Sequence, residues 1–235
     1  MRKISLFYPG KMIHSGLRIT LVVSMAALIT LANGYATNEV LNPGFESGKV
    51  EWYLFVPPES QEKSCQYNLS NRESHSGKTC AEISSEDFAR FGLSYKRRLF
   101  VNSGERYRII AWIKADSGAA VKNSTQGFLI RFVLTQGKAD APKSPAIFIG
   151  LNGNVTIESL IDGTKLRGLA APLPTEWTKV EAVVEIPVVK EGVDGMQMSL
   201  CGQNTRGTLW IDDVSIEKVS ESTPLSPVGD NFLRP

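Results

Sequence analysis

The chain has 235 residues, with 26 Lys and Arg against 24 Asp and Glu and a formal net charge of +2. Residues 1–36 hold four of the basic side chains and no acid, so the rest carries 22 basic against 24 acidic groups, a net charge of −2. Without a basic surface on the folded part, nucleic acid is excluded as a partner. The roughly 199 remaining residues are enough for one domain with a substantial core.

Arg2, Lys3, Lys11 and Arg18 precede an uncharged run from Ile19 to Ala36. The apolar part, Ile19 to Ala32, is short for a membrane span. Gly34, Tyr35 and Ala36 follow the small, any, small pattern of a secretory cleavage site. Residues 1–36 are therefore expected to be a signal peptide cleaved near Ala36, with the product secreted or periplasmic. An uncleaved anchor is the alternative, and Met12 is an alternative start.

From Val40 onward, short runs of β-branched and aromatic residues alternate with Gly, Pro, Asn and Ser clusters, and helical periodicity is nearly absent. Strands are expected at 64–69, 78–84, 93–101, 107–115, 127–134, 178–186, 196–201 and 209–218. That number suits an all-β, two-sheet jelly-roll sandwich. In the fourth, Tyr107, Ile109, Ala111 and Ile113 take one face and Arg108, Ile110, Trp112 and Lys114 the other. In the fifth, Phe128, Ile130, Phe132 and Leu134 oppose Leu129, Arg131 and Val133. The polar stretch 135–174 is expected to carry a hairpin, 146–151 and 155–161, decorating one end. Glu82, Glu86 and Asp87 read as a hairpin rim. The module is expected to end at Val219, with 220–235 a Ser/Pro-rich tail or linker.

Three cysteines, Cys65, Cys80 and Cys201, lie beyond the leader. Cys65 and Cys80 fall in consecutive strands, where a bridge is open to them; the alternative is three buried thiols. No metal-binding Cys/His spacing occurs. Beyond the leader there is one histidine, His75, and no Ser/His/Asp, Cys/His or clustered-acid arrangement is visible. Glu181 and Glu185 share a face but read as an exposed edge. No phosphate loop or dinucleotide fingerprint is present.

Three fragments occur in order: NPGFESG at 42–48, SHSGKTCAEI at 74–83 and GTLWIDDVSIEKV at 207–219. With VNSGERYRIIAWIKA at 101–115 and PTEWTKVEAVVEIP at 174–187, they resemble carbohydrate-binding modules of families 4, 9 and 22, which share a galactose-binding-domain-like jelly roll. The resemblance spans 38–219. It implies non-catalytic binding of a polysaccharide or oligosaccharide, with glycoside hydrolases as possible partners. It also implies a structural calcium ion held by Glu46, Asp212 and the backbone of Gly44, Ser76 and Lys78. Strand parity leaves Asp212 and Asp213 both open, and the motif favours Asp212; the alternative is solvated acids and no ion.

Sugars present polar rims and apolar C–H faces, so aromatic platforms flanked by amide or guanidinium groups bind them. The candidates are Trp52, Phe91, Tyr95, Trp112, Arg131 and Gln203. The resemblance favours Phe91 or Tyr95, and parity offers Trp112 and Arg131. Trp177 and Trp210 read as packing residues. The rivals are a structural or protein-interaction module on the same frame and a divergent glycoside hydrolase or polysaccharide lyase.

Overall fold

A computed structural model describes residues 37–122, 127–137, 139–140, 145–158, 171–188 and 192–228. The leader, the last residues of the expected hairpin and residues 229–235 lie outside the described residues. The described residues form eleven strands: β1 (Trp52–Phe55), β2 (Cys65–Ser70), β3 (Cys80–Tyr95), β4 (Arg106–Ala115), β5 (Ala120–Val121), β6 (Phe128–Gln136), β7 (Ala139–Asp140), β8 (Ala146–Gly150), β9 (Val155–Glu158), β10 (Thr178–Glu185) and β11 (Gly195–Val219). The described residues contain no α-helix, only a 3-10 turn at Pro58–Ser60.

All ladders between these strands are antiparallel, and they sort into two sheets that share the long strands β3 and β11. Sheet I runs β1, the second half of β3, the first half of β11, β6, β8, β9. Sheet II runs β2, the first half of β3, the second half of β11, β4, β10. β11 passes from one sheet to the other at a corner where its register with β3 shifts twice, between Gly202 and Gly207. Bulges of this kind bend a strand and raise its twist. Gly207 sits there at φ 94, and a Cβ on it would meet the backbone of Ala119, so no other residue fits.

The core lies between the sheets. One registered row of sheet I is Leu54, Leu93, Leu200, Ile130, Ile149 and Val155; a row of sheet II is Leu69, Ala81, Ile211 and Ile113. Nearly all of these are buried in one cluster, and each large side chain so placed contributes about 1.5–3 kcal/mol over its exposed state. The parities expected for β4 and β6 are the ones found.

Several boundaries differ from expectation. The segments 78–84 and 93–101 belong to one strand, β3, which ends at Tyr95; Glu82, Glu86 and Asp87 are interior to it and form no hairpin rim. Likewise 196–201 and 209–218 are the two halves of β11. The 146–150 strand is not decoration: β8 pairs with β6 and extends sheet I. Cys65 and Cys80 do lie in paired strands, but Cys65 faces Ser85 and Cys80 faces Ser70. Five positions of offset is about 17 Å along a strand, beyond the reach of a disulfide, and all three thiols are free. Residues 220–228 fold back on the sandwich: Ser226 N donates to Val183 O and Val155 N to Pro227 O, tying the segment to the edges β10 and β9 of the two sheets.

Candidate functional site

The two outward faces of the sandwich carry the polar and aromatic chemistry. On sheet I a registered row crosses all six strands: Tyr53, Ser94, Ser199, Arg131, Phe148 and Thr156. The adjacent row is Phe55, Gly92, Cys201, Leu129 and Gly150. The central strands thus present small residues outward, and Gly92, Ser94 and Cys201 are buried although they face away from the core. The edge strand β1 carries the large ones, with Tyr53 46% and Phe55 51% exposed. Small side chains at the centre and half-exposed aromatics on the β1 rim give this face the relief of a trough, whose β6–β9 side, with Leu129, Phe148 and Thr156, is buried. Its far side is closed by a second apolar cluster of Leu129, Ala146 and Phe148.

The floor is polar. Ser94 Oγ and Ser199 Oγ are 2.8 Å apart, and Gln197 is exposed. At the end nearest the corner, Arg90 Nε donates to Gln203 Oε1 at 2.9 Å and its Nη1 pairs with Glu59. Arg131 Nε is buried with no hydrogen-bond partner. Burial pushes the Cys201 thiol up to about 11, and the charges of Arg131 and Arg90 oppose the rise.

Sheet II presents a different face. Its outward aromatics are Trp112 and Trp210, and each is engaged. His75 stacks on Trp112 with ring centres 3.6 Å apart and 16° between planes, meets Trp177 edge-on at 5.8 Å, and holds Asp213 Oδ2 2.6 Å from its Nδ1. Trp210 Nε1 donates to Glu82 at 2.9 Å, and Lys114, paired with Glu73, lies over its ring. A polar cleft of about 480 Å³ near the corner, lined by Ser64, Gln66, Ser84, Glu86, Arg206 and Thr208, has no aromatic wall.

Of the six sugar-binding candidates, the structure brings only Arg131 and Gln203 to the trough. Trp52, Phe91 and Tyr95 point inward and are buried: Trp52 packs between Phe45 and Tyr95 and donates to Asn42 O, while Tyr95 Oη accepts from Leu41 N. The polar tips of these rings are satisfied by backbone, as buried Trp and Tyr require. Trp112 is on the other sheet and beneath an imidazole. Tyr53, Phe55, Ser94 and Ser199 were not singled out by the sequence, since Trp52–Phe55 is large throughout and shows no alternation.

The five calcium candidates gather at one end of the sandwich. Glu46 Oε1 accepts from Lys78 N at 2.7 Å and Thr79 N at 3.0 Å, and these bonds hold its carboxyl below the usual range. Asp212 is fully buried and accepts from the backbone N–H of His75, Ser76 and Asp213. Burial pushes its carboxyl up to about 6, with Asp213 adding to the rise and the three N–H donors opposing it. Gly44 lies against both aspartates, since a Cβ there would be 3.4 Å from Asp213 Oδ1 and 3.5 Å from Asp212 Oδ1. In kind the donors fit a hard cation, being carboxylates, a hydroxyl and carbonyls on facing loops. Among the described residues no three Asp, Glu, His or Cys side chains converge. Asp213 adopts φ 46 where β11 shifts register against β4, and this bulge is why strand parity does not separate the two acids.

No family model matches the sequence, and no curated protein matches it. Solved structures do. The enzymatically active domain of bacteriophage CBA120 tailspike protein 4 matches with TM-score 0.52 and 12% identity over 77% of this chain and 21% of that one, so the chain spans about a fifth of that protein. The CBM22-1 xylan-binding domain of Paenibacillus barcinonensis Xyn10C matches with TM-score 0.48 and 14% identity, over 76% of this chain and 92% of that one. A family 61 module solved with β-1,4-galactotriose matches with TM-score 0.43 and 15% identity, over 78% and 100%. Modules of families 4 and 16 are also among the structures this chain is similar to. At such identities the likeness is one of fold, the jelly-roll sandwich, and the site must be argued from its own residues.

Proposed function

We propose that this chain binds carbohydrate along the trough of sheet I and does no chemistry on it. The observation that carries the reading is the registered row from Tyr53 through Ser94 and Ser199 to Arg131. Exposed rings at the rim suit the C–H faces of pyranose rings, and serine hydroxyls, the Gln197 and Gln203 amides and a guanidinium suit sugar hydroxyls. Glu181 and Glu185, which share a face, are otherwise occupied: Glu181 is paired with Arg108 and Lys179, and Glu185 with Arg106. His75 meets Asp213 and two tryptophans rather than a tyrosine. Affinity electrophoresis of the full chain in neutral and acidic polysaccharides tests the reading. Retarded migration in at least one gel, abolished by the Tyr53→Ala, Phe55→Ala pair, is expected. Unaltered migration in every gel, with and without calcium, would remove it.

Calcium belongs to the same reading as a structural staple. Glu46, Asp212 and the carbonyls of Gly44, Ser76 and Lys78 would hold it, and the ion would supply charge neutralisation between the N-terminal loop and β11. A ligand of the native state raises apparent stability, so millimolar Ca²⁺ should raise the melting temperature of chelator-treated protein. No shift, with no calcium in the purified protein by elemental analysis, rules the staple out. The exported location rests on the leader, and Edman sequencing of the secreted product, expected to begin at Thr37, checks it. Association with glycoside hydrolases is the natural setting for such a module.

A further inference from the structure

The charges on the trough name a ligand class more narrowly than carbohydrate alone. Along β3 the outward residues are Arg90, Gly92 and Ser94, and the same parity carries Lys96 outward just past the strand end; Lys96 is exposed. Its backbone N–H bonds to Glu51 O, which continues the β1–β3 pairing by one step. The acids nearby are already neutralised: Glu51 by both guanidinium nitrogens of Arg97, Glu59 by Arg90 and Asp194 by Arg98. Among the described residues neither Lys96 nor Arg131 forms an ion pair, though Lys96 faces Glu51 across the β1–β3 pairing and helps hold its carboxyl down. No described carboxylate faces the two central rows. Lys96 and Arg131 sit two strands apart, roughly 10 Å in the hydrogen-bonding direction, with Ser94, Ser199 and Gln197 between them.

A guanidinium nitrogen withdrawn from water with no acceptor is costly unless something binds there, and two cations without an ion-pair partner flanking a polar floor attract negative charge. The geometry points to an anionic glycan as the ligand of this trough, its carboxylate or sulfate groups meeting Arg131 and Lys96 while its rings lie against Tyr53 and Phe55. This rests on the trough being the carbohydrate site. Arginine pairs with both carboxylate and sulfate, so the two sources share one chemistry and are told apart by experiment.

The test is titration calorimetry of the full chain against polygalacturonate and alginate as uronates, carrageenan as a sulfated glycan, xylan and β-glucan as neutral glycans, and polyglutamate as an anion without sugar. At least one anionic glycan should bind tenfold or more tighter than either neutral one, with affinity falling as salt rises. Arg131→Gln and, separately, Lys96→Gln should each weaken that binding about tenfold, the loss of one charge-assisted contact, and Lys96→Gln should leave neutral-glycan binding unchanged. Lys96 is exposed, so its variant keeps the test alive if the Arg131 variant folds poorly. Which glycan responds distinguishes uronate from sulfate. Equal affinity for neutral and anionic glycans, or anionic-glycan binding indifferent to both substitutions, overturns the anionic assignment and leaves the carbohydrate reading standing. Equal binding of polyglutamate overturns it as nonspecific charge attraction, and no binding to any glycan overturns both.

Discussion

The outward faces of the two sheets use the same kinds of residue to opposite ends. Sheet II presents the larger aromatics, Trp112 and Trp210, yet His75 covers one ring while Glu82 and Lys114 engage the other. Sheet I presents smaller ones, Tyr53 and Phe55, at an edge where they stand half in solvent beside a floor of glycine, serine and cysteine. An aromatic marks a binding face when its surroundings leave it unsatisfied, and size or count alone does not. Sheet II engages its own rings, whereas the β1 edge of sheet I leaves Tyr53 and Phe55 half in solvent.

The largest effect expected on this contrast comes from neighbouring residues of β1. Trp52 is buried against Phe45 and Tyr95, so Trp52→Ala should cost about 3–5 kcal/mol in urea unfolding. Tyr53→Ala, one position on, should leave the unfolding midpoint nearly unchanged and reduce glycan affinity tenfold or more. If Tyr53→Ala destabilised the protein as Trp52→Ala does, the rim assignment would fail. On sheet II, Trp112→Ala should lower stability by about 1–3 kcal/mol through lost ring stacking and burial and leave glycan affinity where it was. Loss of binding in a folded Trp112 variant would move the site to sheet II.

That one-residue difference on β1 also shows how far the sequence could be read. The parities of β4 and β6 were legible because each runs nine or ten residues with a clear alternation. β1 has four residues, all large and apolar, so period two is invisible there, and the expected platform fell on Trp52 rather than Tyr53. β3 and β11 were each divided because the residues that carry a strand around a corner, such as Gly202, Gln203 and Asn204, are the residues that make turns. The disulfide between Cys65 and Cys80 failed on register, which depends on where the connecting turn begins. Arg131 was legible from parity alone, but that it stands unpaired follows only from which acids its neighbours capture.

The edges of the two sheets offer a smaller test. Residues 220–228, expected as a linker, cover β9 and β10 with the bonds from Ser226 N and Val155 N, a third from Val183 N to Ser226 Oγ, and Thr223 O accepting from Arg106. At about 0.5–1 kcal/mol each for such part-exposed bonds, their removal by truncation after Val219 should lower stability by about 2–4 kcal/mol. It should also expose two strand edges, with self-association visible by sedimentation. An equally stable monomer would show that the segment only rests on the sandwich.

The smallest expected effect is on acid stability, and it concerns how β4 and β11 of the closed sheet are held together. Burial would raise the Glu105 carboxyl, but bonds from Lys218, from the side chain and backbone N–H of Asn102 and from Tyr107 Oη outweigh it and bring the group down to about 2 from an ordinary value of 4.5. A carboxyl lowered on folding stabilises the native state fully above its unfolded value, and the contribution is lost as pH falls through the folded one. Between about pH 5 and pH 2 the native protein should therefore lose stability more steeply than Glu105→Gln, and the gap between the two should close near pH 2 while their glycan affinities stay equal at neutral pH. Parallel melting curves across that window would mean the bonds around Glu105 form equally well to a neutral amide. Its charge would then contribute nothing to joining the loop before β4 to the end of β11.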